Sequence, residues 1–150
     1  MELILWRHAE AEERLDDLAR ELTPKGRKQA AKMAAWLNTR LPDACRVLAS
    51  PAARAQQTAQ ALNRKIETVP ALAPGARVED ILKAAAWPDG NDDCVLIAGH
   101  QPDLGEAAAH LMGARGPFSI RKAGLWWFSV RDRGDVDEVV LRAVIAPDLL

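Results

Sequence analysis

Cysteine is scarce in this chain: Cys45 and Cys94 are the only two in 150 residues. They stand far apart and fit no metal-type or redox-type spacing, which excludes a cysteine metal or redox motif; the expected state is reduced, small and buried. An excess of charge of one sign is also missing. The chain carries 20 basic and 21 acidic side chains for a formal net charge of −1, so it lacks the basic footprint of a nucleic-acid binder, and any anion site must be local. Long hydrophobic runs are absent as well. No stretch approaches the roughly 18 consecutive apolar residues of a membrane span. The first residues enter a strand directly, without a basic stretch and long apolar core ahead of it, so the expectation is a cytoplasmic protein away from the membrane. With no linker, repeat or low-complexity run, residues 1–150 are expected to form one domain. Such a length buries roughly 70% of the surface its unfolded chain exposes, and needs no staple or metal.

What the sequence has in plenty is apolar runs that stop abruptly on polar residues. Leu3-Ile4-Leu5-Trp6 ends on Arg7-His8, Val47-Leu48-Ala49 on Ser50-Pro51-Ala52-Ala53-Arg54, and Cys94 to Gly99 on His100-Gln101-Pro102. Between these runs lie helical patterns. Thr23-Pro24 supplies an N-cap and an N1 proline ahead of Ala30, Met33, Ala34, Leu37 and Leu41 on one face, and Pro42 ends that helix. Ser50-Pro51 predicts a second helix by the same device, to about Asn63. Strands are expected at Met1–Arg7, Arg46–Ala49, Ile66–Val69 and Cys94–Ala98. A third helix is expected over Val78–Ala86, and a fourth from Pro102 toward Met112. Pro70, Pro74 and Gly75 mark a loop, and residues 88–92 a turn. Leu125–Val130 and Val136–Ile145 flank Asp132-Arg133-Gly134-Asp135, the pattern of a β-hairpin. The acidic stretch Glu10–Glu21 is expected as a loop or short helix over the sheet edge. Strands alternating with helices predict an α/β fold: a three-layer α/β/α sandwich, mostly parallel, with the C-terminal antiparallel hairpin at or near an edge.

In an open parallel sheet, ligands bind in the crevice outside the carboxyl ends of the strands. Two arginines and two histidines converge there, so the expected ligand is anionic. Arg7, one place from a buried strand, must face a carboxylate or a bound oxyanion. Neighbouring positive charge holds the His8 imidazole neutral, as a nucleophile toward phosphorus requires, with the other ring nitrogen donating to a backbone carbonyl. Arg54 falls in the first turn of a helix, where unpaired N–H groups already favour an anion, although an ordinary surface arginine among Gln56, Gln57 and Gln60 is the alternative. Gly99 would permit close backbone approach and aim His100 into the same crevice, its alternative being a turn cap. His110, mid-helix among alanines, is structural or exposed. The adjacent Trp126 and Trp127 point to opposite faces, leaving one indole to be exposed at an interface or to cover the sheet edge.

Four segments resemble the histidine phosphatase superfamily, also called phosphoglycerate mutase-like, and within it the branch of the phosphohistidine phosphatase SixA. Leu5-Trp6-Arg7-His8-Ala9-Glu10 resembles its Arg-His signature, and Leu22-Thr23-Pro24-Lys25-Gly26-Arg27-Lys28-Gln29-Ala30 its Leu-Thr-x-x-Gly-x-x-Gln-Ala segment. Ser50-Pro51-Ala52-Ala53-Arg54-Ala55-Gln56-Gln57-Thr58-Ala59 resembles its Ser-Pro-x-x-Arg-Ala-x-Gln-Thr-Ala helix start, and Gly99-His100-Gln101-Pro102 its Gly-His-x-Pro step. The four occur in the family's order and span essentially the whole chain.

The resemblance implies a covalent mechanism. His8 attacks the phosphoryl group and is transiently phosphorylated, Arg7, Arg54 and His100 bind the phosphate oxygens, and water releases inorganic phosphate. No cofactor or metal is expected, the protein's own cations taking that role. Many ester-cleaving members of the superfamily carry an acid after the third strand. Here Glu79 and Asp80 fall in that region but also suit a helix start. Glu10 is an equal candidate, which could instead orient Arg7 or Arg54. A protonated imidazole leaves as a neutral base and needs such an acid less than an alkoxide does. A missing acid and a short, open crevice favour phosphohistidine on a phosphotransfer or phosphocarrier protein. The alternatives are a small phosphorylated metabolite as substrate, or a phosphate-binding module without turnover.

Overall fold

The computed structural model describes residues 1–132, 134 and 136–150. Six strands form one sheet: β1 (Glu2–Arg7), β2 (Arg46–Ala49), β3 (Ile66–Thr68), β4 (Cys94–Gly99), β5 (Leu125–Asp132) and β6 (Asp137–Ile145). Their order is β3-β2-β4-β1-β5-β6. The first four run parallel, and β5 pairs antiparallel with β1 and with β6. The hairpin therefore closes one edge, as expected, although Arg133 and Asp135 of its turn lie outside the described residues.

Period-two alternation on the buried strands feeds two cores. Ile4 and Trp6 of β1 face a cluster with Met33 and Leu37 of α1 (Pro24–Asn38) and Ala59 of α2 (Ala53–Gln60). Leu3 and Leu5, one residue out of phase, face Ile81 of α3 (Val78–Ala85) and Leu104 of α4 (Asp103–Leu111). This is the three-layer arrangement: both faces are apolar, so the central strands read as continuous hydrophobic runs. Thr23 caps α1 as expected, its hydroxyl accepting from the Gly26 N–H at 2.9 Å. Gly26 is required by close approach: a Cβ there would stand 2.0 Å from the Glu10 carbonyl oxygen. The start of α1 is thereby packed on the segment that follows His8.

Several expectations are corrected. Helix α2 begins at Ala53 with Ala52 as an uncapped N-cap, not at Ser50-Pro51. The Ser50 hydroxyl does accept from the Ala52 N–H, but its other contact is His100, so it belongs to the site rather than the helix cap. Glu10–Glu21 is a loop with a short helix, a 3₁₀ turn at Asp17–Ala19, as expected, but it bridges back through Ala11 and Leu22 and packs on α2 rather than over a sheet edge. Neither hairpin tryptophan is exposed. Trp127 is buried edge-on against Trp36, and Trp126 stacks on Phe118 at 4.9 Å between ring centres. Gly99 is not forced by backbone crowding either, since a Cβ there would only meet the Leu104 side chain at ordinary contact distance. The two cysteines are free and buried, as expected, but they touch: the sheet brings Cys45 against Cys94.

Candidate active site

Because β4 lies between β1 and β2, the residues after three neighbouring strands share one cleft, of about 580 Å³. Arg7, His8, Arg54 and His100 all line it, together with Arg20, Lys122, Glu13 and Asp103. The rings of His8 and His100 are 5.3 Å apart. His8 Nδ1 lies 2.7 Å from the Ala9 carbonyl, which can only accept, so Nδ1 carries the hydrogen and Nε2 the lone pair. Burial, reinforced by the charges of Arg54, Arg7 and Arg20 against the opposing Ala9 hydrogen bond, lowers the His8 pKa to about 4. The imidazole is thus neutral at ordinary pH, with desolvation contributing more than the neighbouring cations.

His100 is also neutral. Burial, then the proximity of His8 and Arg54, lowers its pKa to about 3. Its Nε2 lies 2.7 Å from Ser50 Oγ, and that hydroxyl already accepts from the Ala52 N–H. With one lone pair on Ala52, Ser50 Oγ still has its hydrogen to donate to His100 Nε2, and in that tautomer the imidazole hydrogen sits on Nδ1. The strand-end serine thus holds a histidine on the neighbouring strand in place. Sequence reading took Ser50 for a helix cap because serine before proline is that signal.

Arg7 ends β1 and donates Nη1 to the Ile120 carbonyl at 2.8 Å. Among the described residues no carboxylate pairs with it, so of the two partners its position allowed, an oxyanion is the one left. Arg54 is 4% exposed and not a surface arginine. Nη1 donates to the Asp17 carbonyl at 2.7 Å and Nη2 to the Asp17 carboxylate at 3.1 Å. Asp17, not Glu10, orients this guanidinium, and the pairing with Arg54 holds the Asp17 carboxyl below the ordinary carboxylate range against the desolvation that opposes it. Sequence reading missed Asp17, since one acid in an acidic loop carries no signal of its own. Among the described residues three buried nitrogens of this set have no partner: the donors Arg7 Nε and Arg54 Nε, and His100 Nδ1, a donor when Ser50 donates to Nε2.

The three candidate acids lie elsewhere. The Glu10 carboxylate accepts from the Thr23 hydroxyl at 2.8 Å, at the start of α1. Asp80 accepts from the Arg77 backbone N–H, and Glu79 pairs with Arg77, both on α3 and neither lining the cleft. Asp103 was missed. It is buried in the cleft, accepts from the N–H groups of Gly75 and Ala76, and has a pKa raised by burial against those bonds. An acid in the first turn of a helix is such an ordinary choice that sequence does not distinguish it. His110 is exposed on α4, as foreseen. No group of three or more His, Cys, Asp or Glu side chains is arranged to hold a metal among the described residues.

Comparison with known proteins shows the family and the fold. Residues 3–81 match the model of the histidine phosphatase superfamily (branch 1). A phosphohistidine phosphatase SixA homolog of Haemophilus influenzae is 33% identical over 138 residues, covering 82% of this chain and 84% of that protein. The protein histidine phosphatase SixA in complex with tungstate superposes with a TM-score of 0.85 over 99% of both chains, at 24% identity. A phosphoserine phosphatase of Entamoeba histolytica shares the fold at a TM-score of 0.72, with 18% identity over 95% of each chain. A phosphoglycerate mutase-like sheet with paired arginines and neutral histidines at its mouth, and a family match over more than half the chain, lead to one conclusion: this protein is a phosphatase of the histidine phosphatase superfamily (branch 1).

Proposed function

We propose that this phosphatase removes the phosphoryl group from phosphohistidine on a phosphotransfer or phosphocarrier protein, through a phosphorylated His8. The observation that carries the reading is the set of buried nitrogens without a partner among the described residues, Arg7 Nε, Arg54 Nε and His100 Nδ1 (a donor in the tautomer that accepts from Ser50), beside a neutral His8. Buried donors are nearly always satisfied, and a phosphoryl group has three equatorial oxygens to offer. In this mechanism His8 Nε2 attacks phosphorus in line, the bond to the substrate imidazole breaks, and that imidazole leaves as a neutral base with its ring proton. The three donors hold the equatorial oxygens as charge spreads over them. Water then attacks phosphorus, the bond to His8 breaks, and inorganic phosphate departs.

Two features favour a protein-borne phosphohistidine. Glu10, Glu79 and Asp80 all point their carboxylates to partners outside the cleft, so a leaving alkoxide would find none of them. The loop beside the cleft also carries Leu15 at 109% and Leu18 at 49% exposure, an apolar contact suited to a protein and useless to a small metabolite. The second reading, a small phosphomonoester as substrate, draws on Asp103, a buried acid in the cleft whose raised pKa suits proton donation.

The test is phosphate release from a phosphohistidine-bearing phosphotransfer protein and from an aryl phosphate, by the native chain, His8→Ala and Asp103→Asn. The expected result is a preference for phosphohistidine, lost in His8→Ala, and at most a few-fold change in Asp103→Asn. Efficient ester hydrolysis that collapses in Asp103→Asn would move the assignment to the small ester. Intact mass after exposure to a phosphodonor, with no acid-labile phosphate on His8, would leave only a binding module.

A further inference from the structure

Away from the cleft, at the opposite end of the same strands, the two cysteines meet. Arg46 of β2 pairs with Val95 of β4, so Cys45 and Cys94 are the next lateral neighbours on parallel chains. Adjacent strands run about 4.8 Å apart, inside the roughly 4.4–6.8 Å that Cα atoms of a disulfide span. The sulfurs are 2.7 Å apart although the residues are 49 positions apart in sequence. No third cysteine exists to compete for either. Burial alone would make such thiols inert, yet Cys94 forms part of the wall of a cavity of about 640 Å³, between Trp36, Trp127, Arg40 and Pro42. A small oxidant therefore has a route to the pair.

We propose that Cys45 and Cys94 are a modification site, which a peroxide-class oxidant converts into a single intrachain disulfide clamping the start of β2 to the start of β4. The Cys94 S–H donates to Cys45 Sγ, and this bond, with the charge of Arg64, holds Cys45 below the ordinary thiol pKa against its burial. Cys45 is accordingly the attacking sulfur. Its thiolate takes one oxygen from the peroxide, breaking the O–O bond and giving a sulfenic acid and hydroxide. Cys94 sulfur then attacks the Cys45 sulfur, the S–S bond forms, the S–O bond breaks, and the departing hydroxide takes the Cys94 proton as water. Two thiols are oxidised by two electrons, and one peroxide is reduced to two waters. The clamp joins the two strands whose other ends hold Ser50 and His100 in contact, and it is independent of which phosphoryl substrate the cleft accepts.

The experiment treats the native chain with hydrogen peroxide, with and without later dithiothreitol, and reads intact mass, alkylatable thiols after denaturation, and the melting temperature. The expected result is a monomer lighter by two hydrogens with no alkylatable thiol, reversed by dithiothreitol. The oxidised form should melt roughly 5–10 °C higher, through the constraint on the unfolded chain. Cys45→Ser and Cys94→Ser, treated alike, should show neither the mass loss nor the rise. Thiols that stay alkylatable, oxygen adducts in place of hydrogen loss, or a melting temperature that falls on oxidation would each overturn the proposal.

Discussion

Ser50 gives the clearest test at the scale of one residue. Its hydroxyl is the only partner of His100 Nε2 among the described residues, and removing it leaves the imidazole without the contact that holds its orientation. Ser50→Ala is expected to lower kcat by about 10-fold, the usual cost of losing a partner that orients a functional histidine. KM should change less, and Ser50→Thr should recover most of the loss, because the hydroxyl rather than the cavity is at stake. Equal falls in both variants would make Ser50 a packing residue. Four positions of the cleft were legible in the sequence: Arg7, His8 and His100 directly follow or end apolar runs, and Arg54 falls in the first turn of the helix after one. Asp17 and Asp103 were not legible, because their value lies in what they meet 37 and 28 residues away in the chain. Glu10 looked equally promising by nearness to His8, but the chain turns there, and Thr23 takes its carboxylate.

At the scale of elements, two segments position the cleft without contributing a reacting atom. Helix α1 packs its start on Glu10 through Gly26, where a methyl group would overlap a carbonyl oxygen at 2.0 Å. Neither partner can yield cheaply, since both are backbone. Gly26→Ala is expected to cost about 2–3 kcal/mol in urea unfolding and to lower activity by displacing the turn that carries His8. The 12–21 loop is held over the cleft by Asp17 on Arg54 and presents Leu15 and Leu18 to solvent. Leu15→Asp with Leu18→Asp should raise KM for a phosphohistidine protein several-fold and leave aryl phosphate kinetics unchanged, if the loop contacts a protein partner. Equal effects on both substrates would assign the loop to the cleft itself. Helix patterning foresaw α1 closely, since its cap, proline and apolar stripe agree. It misplaced the start of α2, because a serine needed by a neighbouring strand mimics a cap.

For the whole molecule, the two buried neutral histidines couple folding to pH. In the unfolded chain each takes up a proton near 6.5; in the folded chain only near 4 for His8 and near 3 for His100. Between those values the unfolded state binds more protons, so stability is fully present above about 6.5 and falls as the pH drops toward 4. The combined loss is on the order of a few kcal/mol, shared between two rings that interact. His8→Ala and His100→Ala together should flatten the denaturant midpoint across that window. Turnover should keep its acid limb near 4 rather than near 6.5, since only a neutral His8 carries a free lone pair. A limb near 6.5 in kcat/KM would mean that the free enzyme does not bury this ring.

The sequence by itself determined which residues stand at the mouths of the strands, because an apolar run long enough to be buried on both faces must end where its polar neighbours reach solvent. It determined the layer architecture for the same reason, through strands alternating with helices of one apolar stripe. The tertiary structure alone decided that β4 lies between β1 and β2. That order sets His8 beside His100, gives His100 a serine, Arg54 an aspartate and Cys45 a second sulfur. None of these pairs is local, and a pattern along one strand carries no information about which strand hydrogen-bonds beside it.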